Sequence, residues 1–365
     1  SFFSAILNSY NKFAAAAAAP IILNIVLIGA LFFSQWINIS DVTLLSYAVS
    51  LAGFLQFLIL IFFVKKNFKP ILTTKIKIDE KIKFFFKKLL PSIFSSGVTQ
   101  INILVGTIVA SFQAGAISYL YYADRVYQIN LAVAGIAIGT VMLPELSKYI
   151  KNNDFEKVSN LQNRSLELSL FLSLPAAVAL ILASEQIITS LFGYGSFDKT
   201  SVINTALALY FFAFGVPAFS ILKILSNLFF ARNDTKTPFY LSIISVSLNI
   251  IISVSLFGKF GFIIIAISTS ISSWINVLMH YYFIKKRNLH TFDSQFIYRI
   301  PRIVLSVVAM GVSLYFLLIF FSDKFIYNES WKSIYLFIIV IVCLFIYFLI
   351  SNFSGAFKFK DIKLR

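Results

Sequence analysis

Residues 118–151 read SYLYYADRVYQINLAVAGIAIGTVMLPELSKYIK. Between Ser118 and Leu143 the only charges are Asp124 and Arg125, and charge returns at Glu145, Lys148 and Lys151. A helix needs about 20 apolar residues to cross a bilayer, and this run supplies them. A charge at mid-membrane costs about 2.5–3.5 kcal/mol on insertion scales, so an acid and a base inside such a run usually face a wet cavity.

The rest of the chain repeats the pattern. Of its 365 residues 59% are hydrophobic and 13% charged, with 42 Phe and 17 Tyr, and the mean hydropathy is +0.87. Soluble domains carry about 25% charged residues, so lipid is the solvent this composition suits. Further apolar runs lie at 17–34, 43–64, 86–111, 167–192, 201–230, 239–257, 260–284, 301–321 and 332–352. Together they predict an all-α polytopic membrane protein with about ten complete transmembrane helices. Pro91, Pro175 and Pro217 fall inside runs, which membrane helices tolerate because neighbours satisfy the freed carbonyls.

The net charge of +16 does not point to nucleic acid, because the basic residues cluster between the runs. Counted over alternate loops, 25 Lys and Arg fall on one side and four on the other, with Arg125 and Lys223 inside spans. The positive-inside rule makes the first side cytoplasmic and places the C-terminus there. The cytoplasmic loop 65–90 carries Lys81, Lys83, Lys87 and Lys88 among Ile82, Phe84, Phe85 and Leu89, with Asp79 able to cap a helix. It reads as an amphipathic anchor on anionic lipid headgroups, or as a partner-binding segment.

Cys343 is the single cysteine, and His280 and His290 are the only histidines. A disulfide framework and a Cys- or His-based metal centre are excluded, and no cofactor is expected. No nucleophile–base set, phosphate-binding loop or paired carboxylates occur, so the chain is not expected to be an enzyme.

Two stretches resemble each other at a spacing of about 220 residues. Pro20, Leu23-Asn24, Gln56 and Lys65-Lys66 answer to Pro238, Leu248-Asn249, Asn276 and Lys285-Lys286. Both copies end on the cytoplasmic side, giving a parallel repeat, an architecture of transporters that bind substrate between halves. The expected organisation is 1–64 as the remnant of an N-terminal lobe and 65–83 as a cytoplasmic linker. Residues 84–284 follow as a six-helix C-terminal lobe, and 285–365 as a helix pair with a cytoplasmic tail. The sequence begins at Ser1 within the helical-looking stretch Phe2–Phe13, and is expected to lack N-terminal helices.

Among the charges inside spans, Asp124 and Arg125 are neighbours about 100° apart on a helix, so they need not pair. Arg125 offers a planar fork suited to phosphate or carboxylate. The alternatives are an ion pair with another helix or snorkelling to the outer interface. Lys223 either snorkels or lines the cavity. Tyr119, Tyr121 and Tyr122 read as an aromatic belt, and Glu167 and Glu185 as wet helix ends. Arg232–Pro238 forms a tight turn, with Thr237 or Asp234 capping the next helix and Pro238 in its first turn.

Several motifs in one order resemble the lipid II flippase family MurJ/MviN. They are Tyr121-Tyr122-Ala123-Asp124-Arg125, the stretch from Gly135 to Ser147, Ile6–Phe13, Gln100-Ile101-Asn102, Leu191–Phe197 and Phe229–Pro238. The resemblance runs over 1–284, with 300–352 fitting the family's last two helices. It implies a multidrug/oligosaccharidyl-lipid/polysaccharide exporter fold of fourteen helices, two lobes and a C-terminal pair. The implied activity is alternating-access flipping of lipid II, or a similar polyprenyl-diphosphate saccharide, across the bacterial inner membrane. Arg125 matches the family's cavity arginine for the diphosphate–sugar headgroup, with Asp124 and Lys223 as accompanying substrate-binding candidates, and the last two helices match the groove for the lipid tail. The family's other key arginines lie on its first two helices, so the chain alone is not expected to transport. Some members hold a cation where Asn249 and Thr269 fit the pattern. Gly106 and Ser253 bring no charge there, and no metal site is expected.

A membrane-embedded enzyme on the same lipid would need acidic residues near a membrane face, and only scattered ones occur. A drug exporter of the same superfamily would favour buried acids over a buried arginine.

Overall fold

The computed structural model describes residues 2–10, 13–34, 36, 39–65 and 80–356. The chain divides into two compact units, Ser1–Phe84 and Phe85–Arg365. Every regular element among the described residues is helical.

In the first unit, α1 (Phe2–Ser9) packs with α2 (Phe13–Ser34) and α3 (Asp41–Lys65). Leu7, Leu60 and Val64 form its small buried core, and the Phe3 and Phe57 rings lie 5.8 Å apart. Asp41 in the first turn of α3 and Lys65 in the last both complement the helix dipole. Of the expected amphipathic segment, the capping Asp79 lies among the residues 66–79 outside the described ones, and 81–89 form the first turns of α4 (Glu80–Ser111).

The second unit continues with α5 (Ala116–Leu131), a π-helical stretch Ala132–Ala137 and α6 (Ile138–Lys151), which together form one 36-residue span. Next come α7 (Phe155–Leu182), α8 (Ser184–Phe192), α9 (Lys199–Ala213), α10 (Val216–Phe230), α11 (Lys236–Phe260) and α12 (Ile263–Lys286). The last two helices are α13 (Ser294–Phe320) and α14 (Lys332–Ser354). Asp154, Asp198 and Asp293 cap α7, α9 and α13 by accepting from the backbone N–H three residues on, which satisfies an orphan donor at each start.

Among the described residues, seven helices are long and apolar enough to cross a membrane, and α9 with α10, bent by 43°, makes an eighth. The expected spans 17–34 and 86–111 fall in α2 and α4, whose described apolar runs, Pro20–Ser34 and Gln100–Ser111, are shorter. Large apolar side chains are exposed along the helices: Phe316, Phe320, Phe337 and Phe345 are all at least 64% exposed. Apolar surface on this scale needs a covering, and the hydrocarbon of a bilayer provides it. The chain is a multi-pass membrane protein.

Two expected boundaries change. The span expected at 167–192 is α7 from Phe155 to Leu182, with α8 a separate helix after Ala183. The run expected at 201–230 is broken near Pro217, whose missing N–H frees a carbonyl one turn back. Around that bend α12 supplies donors: Ser270 Oγ donates to the Phe211 carbonyl at 2.7 Å and Trp274 Nε1 to the Phe214 carbonyl at 2.9 Å. Pro175 leaves α7 unbroken, but it frees the carbonyl of Phe171, and Tyr347 of α14 donates its hydroxyl there at 2.7 Å. Asn130 of α5 donates to the neighbouring Leu172 carbonyl at 3.2 Å. Small and hydroxyl residues line these contacts, with Ser169, Ser173, Ala208, Ala213, Ala218 and Ser220 fully buried. Such residues let membrane helices approach closely where lipid gives no hydrophobic drive between them.

Candidate functional site

The α5 helix is fixed from behind. Ala116 and Ala123 are fully buried, and Tyr127 lies with its ring 5.2 Å from those of Phe212 and Phe219. The opposite face is open, and Arg125 is exposed on it. Its guanidinium lies over the Tyr121 ring at 4.6 Å, and its Nη1 donates to Gln128 Oε1 at 3.4 Å. The same Gln128 donates through Nε2 to the Asp124 carboxylate. Asp124 and Arg125 therefore share one amide between them instead of pairing directly. Neither takes part in an ion pair recorded among the described residues. A stacking ring and one hydrogen bond orient the guanidinium, and most of its donors remain for a ligand. Gln128 was not marked by the sequence, since only its i+3 and i+4 spacing from Arg125 and Asp124 gives it this role.

One turn beyond Gln128 begins the π-helical stretch. Such bulges are rare and recur at functional sites. Here it brings Gly135 and Gly139 against α10: a methyl at Gly135 would meet Ser220 Cα at 3.2 Å, and one at Gly139 would meet Asn227 Nδ2 at 3.1 Å. Asn227 Nδ2 donates to the Gly139 carbonyl at 2.6 Å. Beside this contact a cleft of about 550 Å³ opens, lined by Gly139, Thr140, Lys223, Asn227, Thr235 and Ser242 among others. Lys223, which the sequence leaves between snorkelling and lining a cavity, is exposed beside this cleft. Asp124 and Arg125 are not among the residues that line it.

Asn249 and Thr269 sit in a neutral network. Asn249 Nδ2 donates to Asn102 Oδ1 at 3.1 Å and to Thr269 Oγ1 at 3.3 Å. Its Oδ1 accepts from Ser253 at 3.2 Å and from Ser268 at 2.5 Å. All four amide positions have protein partners, so this arrangement ties α4, α11 and α12 together. Gly106 faces only Ile265, 3.9 Å from where a Cβ would stand. No group of three or more His, Cys, Asp or Glu side chains that could hold a metal occurs among the described residues.

Glu167 departs from its expectation as a wet helix end. It lies in the middle of α7, 2% exposed, accepting from Arg299 Nη1 at 3.1 Å and from Arg164. Arg164 Nη2 also reaches Asp293 at 2.6 Å. Arg164 is a local i,i+3 partner on α7, but Arg299 comes from a segment 132 residues away, which no local pattern marks. Glu185 is exposed in the first turn of α8, as a wet end should be. The Arg232–Pro238 turn is capped by Asp234, which accepts from Thr237 N at 3.0 Å, from Thr237 Oγ1 at 2.6 Å and from Arg287 at 2.7 Å. Burial alone would raise the Asp234 pKa, but the Thr237 and Arg287 hydrogen bonds outweigh it and hold the carboxyl below its usual range. Asn233 takes the left-handed φ of 59° that closes the turn, a conformation Asn adopts more readily than most residues.

A family model described as "Lipid II flippase MurJ" matches residues 1–337. The chain belongs to the MurJ family. It is 37% identical over 312 residues to a probable lipid II flippase MurJ of Rhizobium meliloti, covering 85% of this chain and 58% of that protein. It is 39% identical over 290 residues to that of Rickettsia prowazekii, covering 78% of this chain and 56% of the relative. A solved structure, lipid II flippase MurJ in an inward closed conformation, superimposes with a TM-score of 0.79 at 28% identity, covering 96% of this chain and 69% of that one. The chain thus spans a little over half the length of these MurJ relatives from bacteria. MurJ is a family of transporters rather than of catalysts, and the fold is that of its superfamily.

Proposed function

We propose that this chain serves to flip lipid II from the cytoplasmic to the periplasmic leaflet of a bacterial inner membrane by alternating access, with Arg125 engaging the diphosphate. The observation that carries this reading is Arg125 itself: exposed on a bilayer-spanning helix, free of any recorded carboxylate partner, and oriented by Tyr121 and Gln128. A fixed guanidinium matches phosphate oxygens in a bidentate way that an ammonium does not. Asp124 acts through Gln128, and need not touch the substrate. The relatives' names favour lipid II over other polyprenyl-diphosphate saccharides, whose diphosphate would satisfy the same arginine.

The orientation follows the charge count, 25 basic residues against four, which places the C-terminus in the cytoplasm. Residues 84–284 then act as one six-helix lobe and α13 with α14 as an appended pair, while the basic segment 65–90 rests on anionic headgroups. The membrane potential supplies about 2.3 kcal/mol per charge per 100 mV, enough to bias a cycle without nucleotide hydrolysis.

Growth of cells depleted of their own lipid II flippase tests this reading. The protein expressed from its natural gene should restore growth, and Arg125→Ala at equal membrane abundance should not. Full rescue by Arg125→Ala would remove Arg125 from the mechanism.

A further inference from the structure

The stretch Leu191–Phe197 closes α8 and leads towards α9, and it has no role so far. Its glycines are required by its turns. Tyr194 N donates to the Phe192 carbonyl at 2.7 Å, closing a three-residue turn centred on Gly193, with φ −70° and ψ 59°. A methyl at Gly193 would stand 2.6 Å from the Thr189 carbonyl oxygen. Gly195 takes a left-handed φ of 57°, which glycine adopts at no steric cost. The two turns bring the Phe192 and Phe197 rings within 6.0 Å of each other and leave the Gly193 carbonyl for α14.

Lys332, the first residue of α14, is 1% exposed. Burying an ammonium is costly unless its donors are used. Here Nζ donates to the carbonyls of Gly193 at 2.7 Å and Tyr327 at 2.6 Å. It also lies over the rings of Tyr194 at 4.1 Å and Tyr327 at 5.0 Å, which favour a cation on their faces. Hydroxyls repeat the tie: Tyr327 donates to the Phe197 carbonyl at 2.8 Å, Tyr194 to Ser333 at 2.8 Å, and Ser333 to the Ser190 carbonyl at 2.7 Å. The stretch therefore hangs from the start of α14 and the connection before it.

On its other side the stretch bears on α5. The Tyr122 ring packs 4.9 Å from that of Phe192 and 5.2 Å from that of Phe197. Tyr121 meets Tyr122 edge-on at 6.0 Å, and Tyr121 is the ring that carries the Arg125 guanidinium. Each ring pair lies within the reach of about 4.5–7 Å that aromatic contacts prefer. An unbroken series of contacts thus runs from Lys332 to Arg125.

We propose that Lys332 is a positioning residue for the anion site at Arg125. It fixes the stretch Leu191–Phe197, whose two phenylalanines hold Tyr122 and, through it, the Tyr121 ring that orients the guanidinium. The assignment rests on the reading of Arg125 as a headgroup ligand and extends it, because α14, outside the expected six-helix lobe, then sets the geometry of that lobe's binding group.

Two readouts on the protein expressed from its natural gene, in phosphatidylcholine nanodiscs, test it. The first is the Nε–Hε signal of Arg125 in protein carrying 15N-arginine, assigned by its loss in Arg125→Lys. A ring face shields a proton above it, so Tyr121→Leu marks the unstacked position. Lys332→Met should move the signal at least half of the way there. The second is the dissociation constant for polyprenyl diphosphate. Lys332→Met should weaken binding about fivefold where Arg125 is present and less than about twofold in the Arg125→Ala background, since residues acting through one group are not additive. Tyr122→Leu breaks the series without touching the Lys332 contacts and should reproduce both effects, which keeps the test open if Lys332→Met does not fold. Tyr347→Phe, a destabilising change elsewhere on α14, should move neither readout. An Arg125 signal that stays in place in Lys332→Met and Tyr122→Leu overturns the positioning role, as does an equal loss of affinity with and without Arg125. Wild-type affinity in Lys332→Met, where Arg125→Ala loses it, also overturns the role and leaves the Arg125 reading standing. If the signal moves and Arg125→Ala binds as the wild type does, the positioning of Arg125 stands and its headgroup reading falls.

Discussion

Replacing Glu167 with Gln should be among the most destabilising single changes in the second unit. The carboxylate is 2% exposed and lies between Arg299, 3.1 Å away, and Arg164. At an effective dielectric of about 20, each close pair is worth about 4 kcal/mol in Coulomb energy, offset by the desolvation of the ions. Removing one partner of a buried pair costs about 3–5 kcal/mol, because the opposite charge stays behind in a poor solvent. Arg164 is partly exposed and keeps Asp293 at 2.6 Å, so the loss should fall at the lower end, about 3 kcal/mol. Reversible unfolding in mixed micelles titrated with SDS measures it, and hydrogen exchange should show α13 loosening from α7. The double variant Glu167→Met with Arg299→Met should recover most of the loss, since apolar replacement of both partners is often neutral or better. A loss below about 1 kcal/mol for Glu167→Gln would show that the cluster is solvated, and would sink the argument.

Tyr347→Phe deletes the hydroxyl that satisfies the Phe171 carbonyl next to Pro175; unfolding should show a loss of about 1–3 kcal/mol, and none would mean the carbonyl has another partner. Gly135→Ala drives a methyl to 3.2 Å from Ser220 Cα, a backbone atom that cannot rotate away, so about 1–3 kcal/mol of overpacking should appear as a lowered melting temperature. Burial holds the His290 imidazole at about 4, with Asp293 opposing the shift and Arg232 adding to it. Because the folded pKa lies below the unfolded one, the contribution is full above about pH 6.5 and is lost as the pH falls from there through 4. Melting scans should show the wild type losing on the order of 1–2 kcal/mol more than His290→Asn over that window, the imidazole being partly exposed. Parallel curves for the two proteins would contradict it.

What the sequence made legible was whatever depends on local composition. Apolar run length located the helices, and the alternating basic loops required no tertiary knowledge. The Asp234 turn was readable from Asp234-Thr235-Lys236-Thr237-Pro238, whereas the caps Asp154, Asp198 and Asp293 emerged only with the helix starts. Features set by partners far along the chain were not legible. Glu167 looked like an exposed helix end because its deep burial depends on Arg299 arriving from α13, while Arg164, one turn away on α7 itself, placed the start of the apolar run too late. The break at Pro217 could not be told from the unbroken helix at Pro175, since the outcome depends on which neighbouring side chains reach the freed carbonyls. For the site, Arg125 was conspicuous as a charge inside an apolar run. Gln128 was not, because its role rests on geometry around Asp124 and Arg125. Lys223 was open between two readings, because run length does not show which neighbours its side chain meets; in the structure it lies beside the cleft next to Gly135 and Gly139.

The central claim is that Arg125 binds the diphosphate while the lipid crosses the membrane. Its most direct test is the rate at which lipid II becomes accessible on the outer face in membranes containing the protein, compared with Arg125→Ala and Arg125→Lys. The account predicts at least about a tenfold fall for Arg125→Ala, matching the loss of a charge-assisted hydrogen bond worth about 1.5–3 kcal/mol. Arg125→Lys should fall between the two, keeping the charge and losing the fork. Wild-type exposure of lipid II in Arg125→Ala, at equal abundance in the membrane, would contradict it.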